Sequence, residues 1–273
     1  MWLAWLMIGL SFMAILIGPI IWLKDKISDL IENGKSKKDF NDNRECRSNS
    51  TINREHNITK SKHVEIGKEE PHETCVINGH VVRFYDKNHR YTVDGVECIS
   101  VSSIVKVASK YNSWDDYSNV SKSTLDHAAQ KGTAMHKVIE NYEKYGEVPQ
   151  RLYVDEFNGY MYLKEKYKFK CLDNERIVLF CDDNDKAVFC GRLDMIIRMD
   201  DKVGICDLKR TYKLYPKKVA FQLNLYRLAY MQSYHTSIDF ISCIRLRDYS
   251  VRQFVTFDID DDETIRYINK YSR

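Results

Sequence analysis

The 273-residue sequence has little proline and glycine, with 4 and 11 residues, and shows no internal repeat. This excludes collagen-like and low-complexity proteins. None of the eight cysteines forms a Cys-x-x-Cys pair, which argues against a zinc ribbon or a disulfide scaffold. Most lie in apolar segments, so we interpret them as small buried side chains in a reducing compartment.

The sequence also lacks a large excess of positive or negative charge. The net charge is only +3, and the part from His63 to Arg273 carries 32 basic and 32 acidic residues. This excludes a polybasic nucleic-acid coat, so any binding of nucleic acid must use a local patch. Hydrophobic residues make up 44% of the chain, enough for one sizeable core or at most two small ones.

One long apolar run is present, Met1–Leu23, and it contains no charged side chain. As a helix it would be about 34 Å long, enough for a hydrocarbon core of about 30 Å. Lysines follow it, at positions 24, 26, 35, 37 and 38. We therefore predict a single-pass membrane anchor with the rest of the chain in the cytoplasm. Two alternatives are a buried core helix and an upstream extension, with translation starting at Met7 or Met13.

Residues 24–71 are polar and are predicted to form a flexible tether, which leaves 72–273 as the folded domain. A short antiparallel meander is expected at Cys75–Ile99, because Asn78-Gly79 and Asp94-Gly95 are hairpin turn pairs. Helical patterns follow, at Ser102–Lys110, Ser113–Ala129, Gly132–Tyr145 and Val154–Tyr167.

Beyond Arg176 the pattern becomes that of a sheet. Strands are predicted at Ile177–Cys181, Ala187–Cys190, Leu193–Arg198 and Val203–Leu208. A helix at Lys217–Gln232 precedes strands at Ile238–Leu246 and Val251–Phe257 and a last helix from Asp262. The fold class is therefore α/β (α+β).

Two carboxylates interrupt apolar strands, Asp194 in Leu193–Ile197 and Asp207 in Ile205–Lys209. A tight turn at Met199–Lys202 would pair these strands antiparallel and bring Asp194 opposite Asp207. Buried carboxylates are costly unless they are paired or bind a cation. Together with a main-chain carbonyl, they suit a hard cation such as Mg²⁺.

Lys209 follows Asp207 by two residues, so strand alternation puts both side chains on one face. The ammonium could steady a phosphate or an attacking hydroxide. The alternative is that Asp194 and Asp207 are ordinary salt-bridge partners of Arg192 or Arg210.

Four motifs occur in a set order: Gly132-Thr133-Ala134-Met135-His136, Gly191-Arg192-Leu193-Asp194, Asp207-Leu208-Lys209 and Gln222-Leu223-Asn224-Leu225-Tyr226. In this order the segment of roughly His80–Phe257 resembles the RecB-like branch of the PD-(D/E)XK nuclease superfamily. The resemblance implies a restriction-endonuclease-like fold, in which helices flank a mixed β-sheet with the site at one edge. It also implies metal-assisted hydrolysis of phosphodiester bonds.

The resemblance assigns metal binding to Asp194, Asp207 and the main-chain carbonyl of Leu208, and water positioning to Lys209. His136 would be a further metal ligand or a neighbour of the scissile phosphate. The expected ion is Mg²⁺, with Mn²⁺ able to replace it. Taken alone, His136 would be an ordinary helix histidine.

Gln222 and Tyr226 share one helix face. The resemblance implies that they support the site and contact the nucleic-acid backbone, although alone they would be one side of an amphipathic helix. Glu175 lies where many relatives have a glutamate and is expected to play a supporting role. A basic cluster that could bind phosphates comprises Arg210, Lys213, Lys217 and Lys218.

RecB-like exonucleases that carry an iron-sulfur cluster have one cysteine before the nuclease motifs and several closely spaced cysteines after them. Here only Cys243 follows Tyr226, so the resemblance implies no cluster. No helicase motif is present, and unwinding would need a helicase or recombination partner. The sequence thus predicts a membrane-tethered, Mg²⁺-dependent DNA nuclease, an exonuclease rather than a site-specific endonuclease, because no base-reading element is evident. The alternative is a catalytically silent nuclease-fold protein that binds nucleic acid or a partner at the membrane.

Overall fold

The computed structural model describes residues 70–248 and 250–271. The predicted membrane helix (1–23) and all but the last two residues of the predicted tether (24–71) lie outside these residues. Within the described ranges, no helix combines the length and apolarity needed to cross a bilayer.

The predicted meander is confirmed as a four-stranded antiparallel sheet. Its strands, in spatial as well as chain order, are β1 (Glu73–Ile77), β2 (His80–Tyr85), β3 (Arg90–Val93) and β4 (Val96–Cys98). Asn78-Gly79 and Asp94-Gly95 make the two tight turns, and all four residues have positive φ. Asparagine, aspartate and glycine tolerate this conformation best, so local chemistry fixes the strand register.

Three helices follow, α1 (Val101–Asn112), α2 (Lys122–Tyr145) and α3 (Val154–Tyr167). The prediction for α3 is confirmed at both ends. The predicted break after Ala129 is wrong, because α2 is continuous through Gly132. The predicted start at Ser113 is also wrong, since α2 begins where the Ser121 hydroxyl accepts the Thr124 backbone N–H.

Tertiary packing explains why the segment after Ser113 is not helical. The Trp114 ring packs edge-to-face against Phe221, at 5.4 Å, and Tyr267, at 5.3 Å. These partners lie more than a hundred residues further along the chain, so no local pattern signals the contact.

The larger sheet has five strands in the order β5-β6-β7-β8-β9. They are β5 (Lys170–Cys181), β6 (Ala187–Met199), β7 (Lys202–Lys209), β8 (Phe240–Arg247) and β9 (Val251–Phe257). β7 and β8 pair in parallel and the other neighbours antiparallel, so the sheet is mixed. Helix α4 (Pro216–Tyr234) connects β7 to β8, and α5 (Asp261–Tyr271) ends the described chain. The mixed α/β class is as predicted.

Two predicted boundaries in this sheet are corrected. β5 starts at Lys170 rather than Ile177, and β6 runs without the predicted break between Cys190 and Leu193. Both extensions pass through polar or glycine residues that pair with neighbouring strands, and pairing does not require apolar side chains.

Hydrophobic clusters cover both faces of the larger sheet. One cluster joins α1, α4 and α5 to the sheet through residues such as Ile104, Leu225 and Ile205. The other joins α2 and α3 to it through residues such as Ile139 and Leu208. Helices thus pack on both faces of the sheet, and polar side chains from the interior of β5 and β6 meet others from the end of β7.

Candidate functional site: a carboxylate and histidine cluster

The β6–β7 hairpin brings Asp194 and Asp207 side by side, as predicted. Met199 pairs with Lys202 at the turn, and Met195 pairs with Cys206 at the far end of the ladder. The next position on each strand is Asp194 on β6 and Asp207 on β7. Asp207 is only 3% exposed, so its charge needs compensation from nearby groups.

A third acid, Glu175, lies on β5, so that Glu175, Asp194 and Asp207 form a row across three neighbouring strands, which we call the acid row. Asn174 pairs with Met195 and Arg176 with Leu193, so Glu175 and Asp194 occupy the matching positions between these pairs. Glu175 has a φ of 53°, a left-handed conformation in the middle of a strand. For a non-glycine residue this conformation costs about 1–2 kcal/mol, and such strain clusters at functional sites.

Helix α2 contributes His136. Its Nε2 donates to the Leu208 carbonyl at 2.8 Å, and its Nδ1 lies 3.5 Å from Asp194 Oδ1. The Leu208 backbone N–H donates to Asp194 Oδ2 at 2.6 Å. His136, Asp194 and the Leu208 main chain therefore form one connected unit. The Leu208 carbonyl, predicted as a metal ligand, accepts a hydrogen bond from His136 in this arrangement.

His136, Glu175 and Asp194 can supply one ligand atom each within 4.8 Å of one another. Carboxylate oxygens suit Mg²⁺ and Mn²⁺, and imidazole suits transition metals. The donor set therefore fits a divalent cation. Compared with the predicted ligands, the structure adds Glu175 to His136 and Asp194.

Asp207 instead pairs with Lys209. The Lys209 Nζ lies 2.8 Å from Oδ1 and 2.6 Å from Oδ2 of Asp207. The two side chains meet, as alternation along the strand requires. The pair places one ammonium group at the margin of the acid row, and the charge of Asp194 also acts on it.

Burial and neighbouring charges give the three acids different pKa values. Burial favours neutral Asp194, but the charge of His136 and its hydrogen bond outweigh this effect and lower the pKa of Asp194 to about 2. Burial and the charge of Asp194 raise the pKa of Glu175 to about 7. Burial also raises the pKa of Asp207 to about 6, against the opposing effect of Lys209. Glu175 and Asp207 thus pass between neutral and charged forms near neutral pH.

Burial and the neighbouring charges also shift the pKa of His136. Burial lowers the pKa of His136, but the charge of Asp194 and the hydrogen bond to it raise the net pKa to about 9. Without a metal, His136 is therefore a cation at neutral pH that balances Asp194. A metal ion would take over this balancing role and displace the proton.

Tyr226 and Gln222 lie on α4, where their side chains are hydrogen-bonded to each other. Tyr226 is buried, and burial followed by the charges of Tyr91, Asp194 and Asp207 raises its pKa well above the ordinary value. Gly191 makes this packing possible. A Cβ on Gly191 would lie 2.6 Å from Tyr226 Cε1 and 2.9 Å from Val101 Cγ2, too close for any larger residue.

Arg192 pairs with Glu175 rather than with the aspartates, its Nε lying 2.8 Å from Glu175 Oε2. Its guanidinium also stacks on Phe84, 4.5 Å from the ring centre. Arg210 likewise pairs with Glu156 and Asp248, each at 2.8 Å. Neither arginine is therefore an ion-pair partner of Asp194 or Asp207, and that alternative is wrong.

Two members of the predicted basic cluster form ion pairs and two are exposed. Arg210 is only 12% exposed in its side chain, and Lys218 forms an ion pair with Asp115. Lys213 and Lys217 are exposed, with Lys213 5.1 Å from the Tyr215 ring centre. Lys213 and Lys217 are thus the members best placed to reach a phosphate.

Seven cysteines lie in the described residues. All seven are free and six of them are buried, which agrees with the interpretation of cysteine as a small core residue.

No protein-family model matches the chain, and no curated protein matches it. Among solved structures, the chain is similar to one described as "Crystal structure of SSO0001", at 15% identity and a TM-score of 0.34. The match covers 63% of this chain and 74% of that one.

Proposed function

We propose that the chain is a metal-dependent DNA nuclease with a restriction-endonuclease-like core of the RecB-like PD-(D/E)XK type. One observation carries the proposal: His136, Glu175 and Asp194 offer three ligand atoms within 4.8 Å of one another, beside the Asp207–Lys209 pair. A purely structural role would not require three acids on adjacent strands, because burying like charges together is unfavourable.

In this proposal His136, Glu175 and Asp194 hold Mg²⁺ or Mn²⁺, and Asp207 joins them when Lys209 releases it. A bound divalent cation would lower the pKa of water and neutralise charge on the phosphate. Lys209 would orient the attacking water and stabilise the developing charge. Tyr226 and Gln222 support the acid row from α4, and Lys213 and Lys217 contact the DNA backbone.

The test uses the full-length protein, purified in mild detergent. End-labelled single- and double-stranded DNA is incubated with it in Mg²⁺, Mn²⁺ or EDTA. We expect metal-dependent cleavage that EDTA and the Asp194→Asn substitution abolish. A ladder of products shortened from the ends would indicate the exonuclease that we favour, whereas internal cuts would indicate an endonuclease.

The main alternative has a distinct outcome in the same assay. A folded protein that binds DNA under every metal condition but never cuts it would support a catalytically silent nucleic-acid-binding protein. Cleavage only after a helicase or recombination partner is added would support a nuclease that acts on unwound DNA.

We also propose that residues 1–23 tether the nuclease to the membrane, with its domain in the cytoplasm. The support is the uncharged run Met1–Leu23 and the lysines that follow it. Fractionation of cells that express the chain with a C-terminal tag tests the tether. Recovery in the membrane pellet, lost when residues 1–23 are removed, is the expected result, and recovery of the intact chain in the soluble fraction would contradict it.

A further inference from the structure

A second group of metal-ligating side chains lies away from the acid row, where the two sheets meet. It comprises His80, Cys181 and Asp185, which supply an imidazole nitrogen, a thiol sulfur and a carboxylate oxygen within 4.8 Å of one another. His80 is the first residue of β2, Cys181 is the last residue of β5, and Asp185 lies in the β5–β6 turn. The group therefore joins the small sheet to the large one.

The orientation of His80 is that of a metal ligand. Its Nδ1 lies 2.7 Å from Asp94 Oδ2, and Asp94 Oδ1 accepts the Val81 backbone N–H at 2.8 Å. His80 Nε2 is buried and makes no hydrogen bond. Metal-binding histidines commonly donate one ring nitrogen to a carboxylate, which leaves the other free for the ion. Asp94 serves that purpose here.

The distance between the nitrogen and oxygen ligand atoms suits a tetrahedral ion. His80 Nε2 lies 3.5 Å from Asp185 Oδ1, which is long for a hydrogen bond. Ligand atoms around tetrahedral Zn²⁺ are about 3.3–3.8 Å apart, given bond lengths of about 2.0–2.3 Å. A thiolate and a carboxylate together carry two negative charges, which match one divalent cation. Nitrogen, sulfur and oxygen are all ligands that Zn²⁺ accepts.

The backbone around the group is held by contacts that do not use the three ligands' side chains. The Gln232 side chain accepts the Cys181 N–H at 2.7 Å and donates to the Cys181 carbonyl at 3.0 Å. Asp182 accepts the backbone N–H groups of Asn184 and Lys186, at 2.9 and 3.0 Å. The turn is thus ordered by Asp182, while Asp185 is left 77% exposed in its side chain.

We infer that His80, Cys181 and Asp185 bind a borderline-soft divalent cation, Zn²⁺ in the first place, with water as the fourth ligand. Asp94 orients His80 from the opposite side of its ring. The ion ties the small sheet to the large sheet and so stabilises the fold. This site is independent of the proposed nuclease centre and would exist in a protein that cuts no DNA.

Cobalt titration of the full-length protein tests the inference, because Co²⁺ replaces Zn²⁺ and reports a bound thiolate by a charge-transfer band in the near ultraviolet. We expect the band to reach a constant intensity as Co²⁺ is added and to disappear when excess Zn²⁺ is added. Cys181→Ser should abolish it. Cys75→Ser should not, although Cys75 on β1 is also buried and packs in one hydrophobic cluster with Cys181. Asp194→Asn should also retain the band, which separates this site from the nuclease centre.

Two exposed acids give variants that keep the fold. Asp94→Asn, which retains the acceptor for Val81, should weaken Co²⁺ binding roughly 10–100-fold, the usual effect of removing a carboxylate that orients a ligand. Asp185→Ala should weaken it too, and Asp183→Asn in the same turn should not. In the Asp194→Asn background, which removes a ligand of the proposed nuclease centre, Zn²⁺ should raise the melting temperature, and adding His80→Gln should abolish that rise.

A titration without a thiolate band would overturn the inference, and so would a band that survives Cys181→Ser. Equal Co²⁺ affinity in Asp185→Ala, Asp94→Asn and wild type would also contradict the inference, because Asp185 would then not be a ligand and Asp94 would not orient His80.

Discussion

Glu175 and Asp194 lie at matching positions on neighbouring antiparallel strands, and Glu175 reaches its position with a left-handed backbone. The β6–β7 hairpin sets Asp207 beside Asp194 on the other side. Three acids thus cross the sheet on three consecutive strands. A divalent cation bound among them would remove their mutual repulsion.

Asp207→Asn should abolish cleavage while the protein remains folded. The change keeps the side-chain volume but removes a charge that the proposed chemistry requires, and it leaves Lys209 without its partner. Cleavage of labelled DNA should fall to the level seen in EDTA, and circular dichroism should match the wild type. Normal turnover by a folded variant would remove Asp207 from the site.

Lys209→Met should reduce the cleavage rate about 10²–10³-fold, the usual effect of losing one group that stabilises the transition state. Metal binding should remain, since Lys209 is not a ligand. Single-turnover rates at saturating Mg²⁺ measure the effect. Lys213→Met is the matched control: this exposed residue should weaken DNA binding in a salt-dependent way and leave the single-turnover rate at saturating DNA unchanged.

Stability should depend on both pH and Mg²⁺. The pKa values of Glu175 and Asp207 are raised to about 7 and about 6. Their neutral forms therefore stabilise the fold at low pH, and this contribution is lost as pH rises through these values. The pKa of His136, raised to about 9, acts in the same direction at higher pH. The metal-free protein should thus lose stability between about pH 5 and about pH 8.

Mg²⁺ should reverse this loss, because the ion binds the charged carboxylates and displaces their protons. Melting temperatures measured in EDTA and in Mg²⁺ across this pH range provide the check. The gain due to Mg²⁺ should grow as pH rises. A gain of constant size would mean that neither Glu175 nor Asp207 binds the ion.

Gly191→Ala should destabilise the protein by about 1–3 kcal/mol, the usual cost of overpacking, because the new methyl group meets Tyr226 and Val101. Gly132→Ala is the control. Nothing lies within 4 Å of a Cβ there, and α2 should gain up to about 1 kcal/mol from the better helix former. Urea unfolding measures the change in the free energy of unfolding for both variants. Adding Tyr226→Leu to Gly191→Ala should restore part of the lost stability.

Local patterns account for much of what could be predicted from the sequence. The turn pair Asp94-Gly95 and the tight turn at Met199–Lys202 act over a few residues, so strand register, and with it the Asp194–Asp207 juxtaposition, followed from spacing. Helix α3 has a clear helical pattern and was predicted at both ends. In these places local preference and tertiary structure agree.

The role of Glu175 depends on longer-range information. Residues 170–176 are polar apart from Cys171 and Leu172, so the sequence predicts that the strand starts at Ile177 and gives Glu175 only a supporting role. In the structure the strand extends back to Lys170 because it pairs with β6. The His80–Cys181–Asp185 group also could not be predicted from the sequence, because its members come from two sheets and no short motif links them.

The continuity of α2 has a mechanical consequence. The helix has 24 residues and is about 36 Å long. Its first nine residues are exposed apart from the partly buried Leu125, and His136 follows within the same helix. Because the helix is continuous through Gly132, its exposed first part and His136 belong to one element. A partner that displaced the exposed part would therefore also shift the imidazole and its contacts to Leu208 and Asp194.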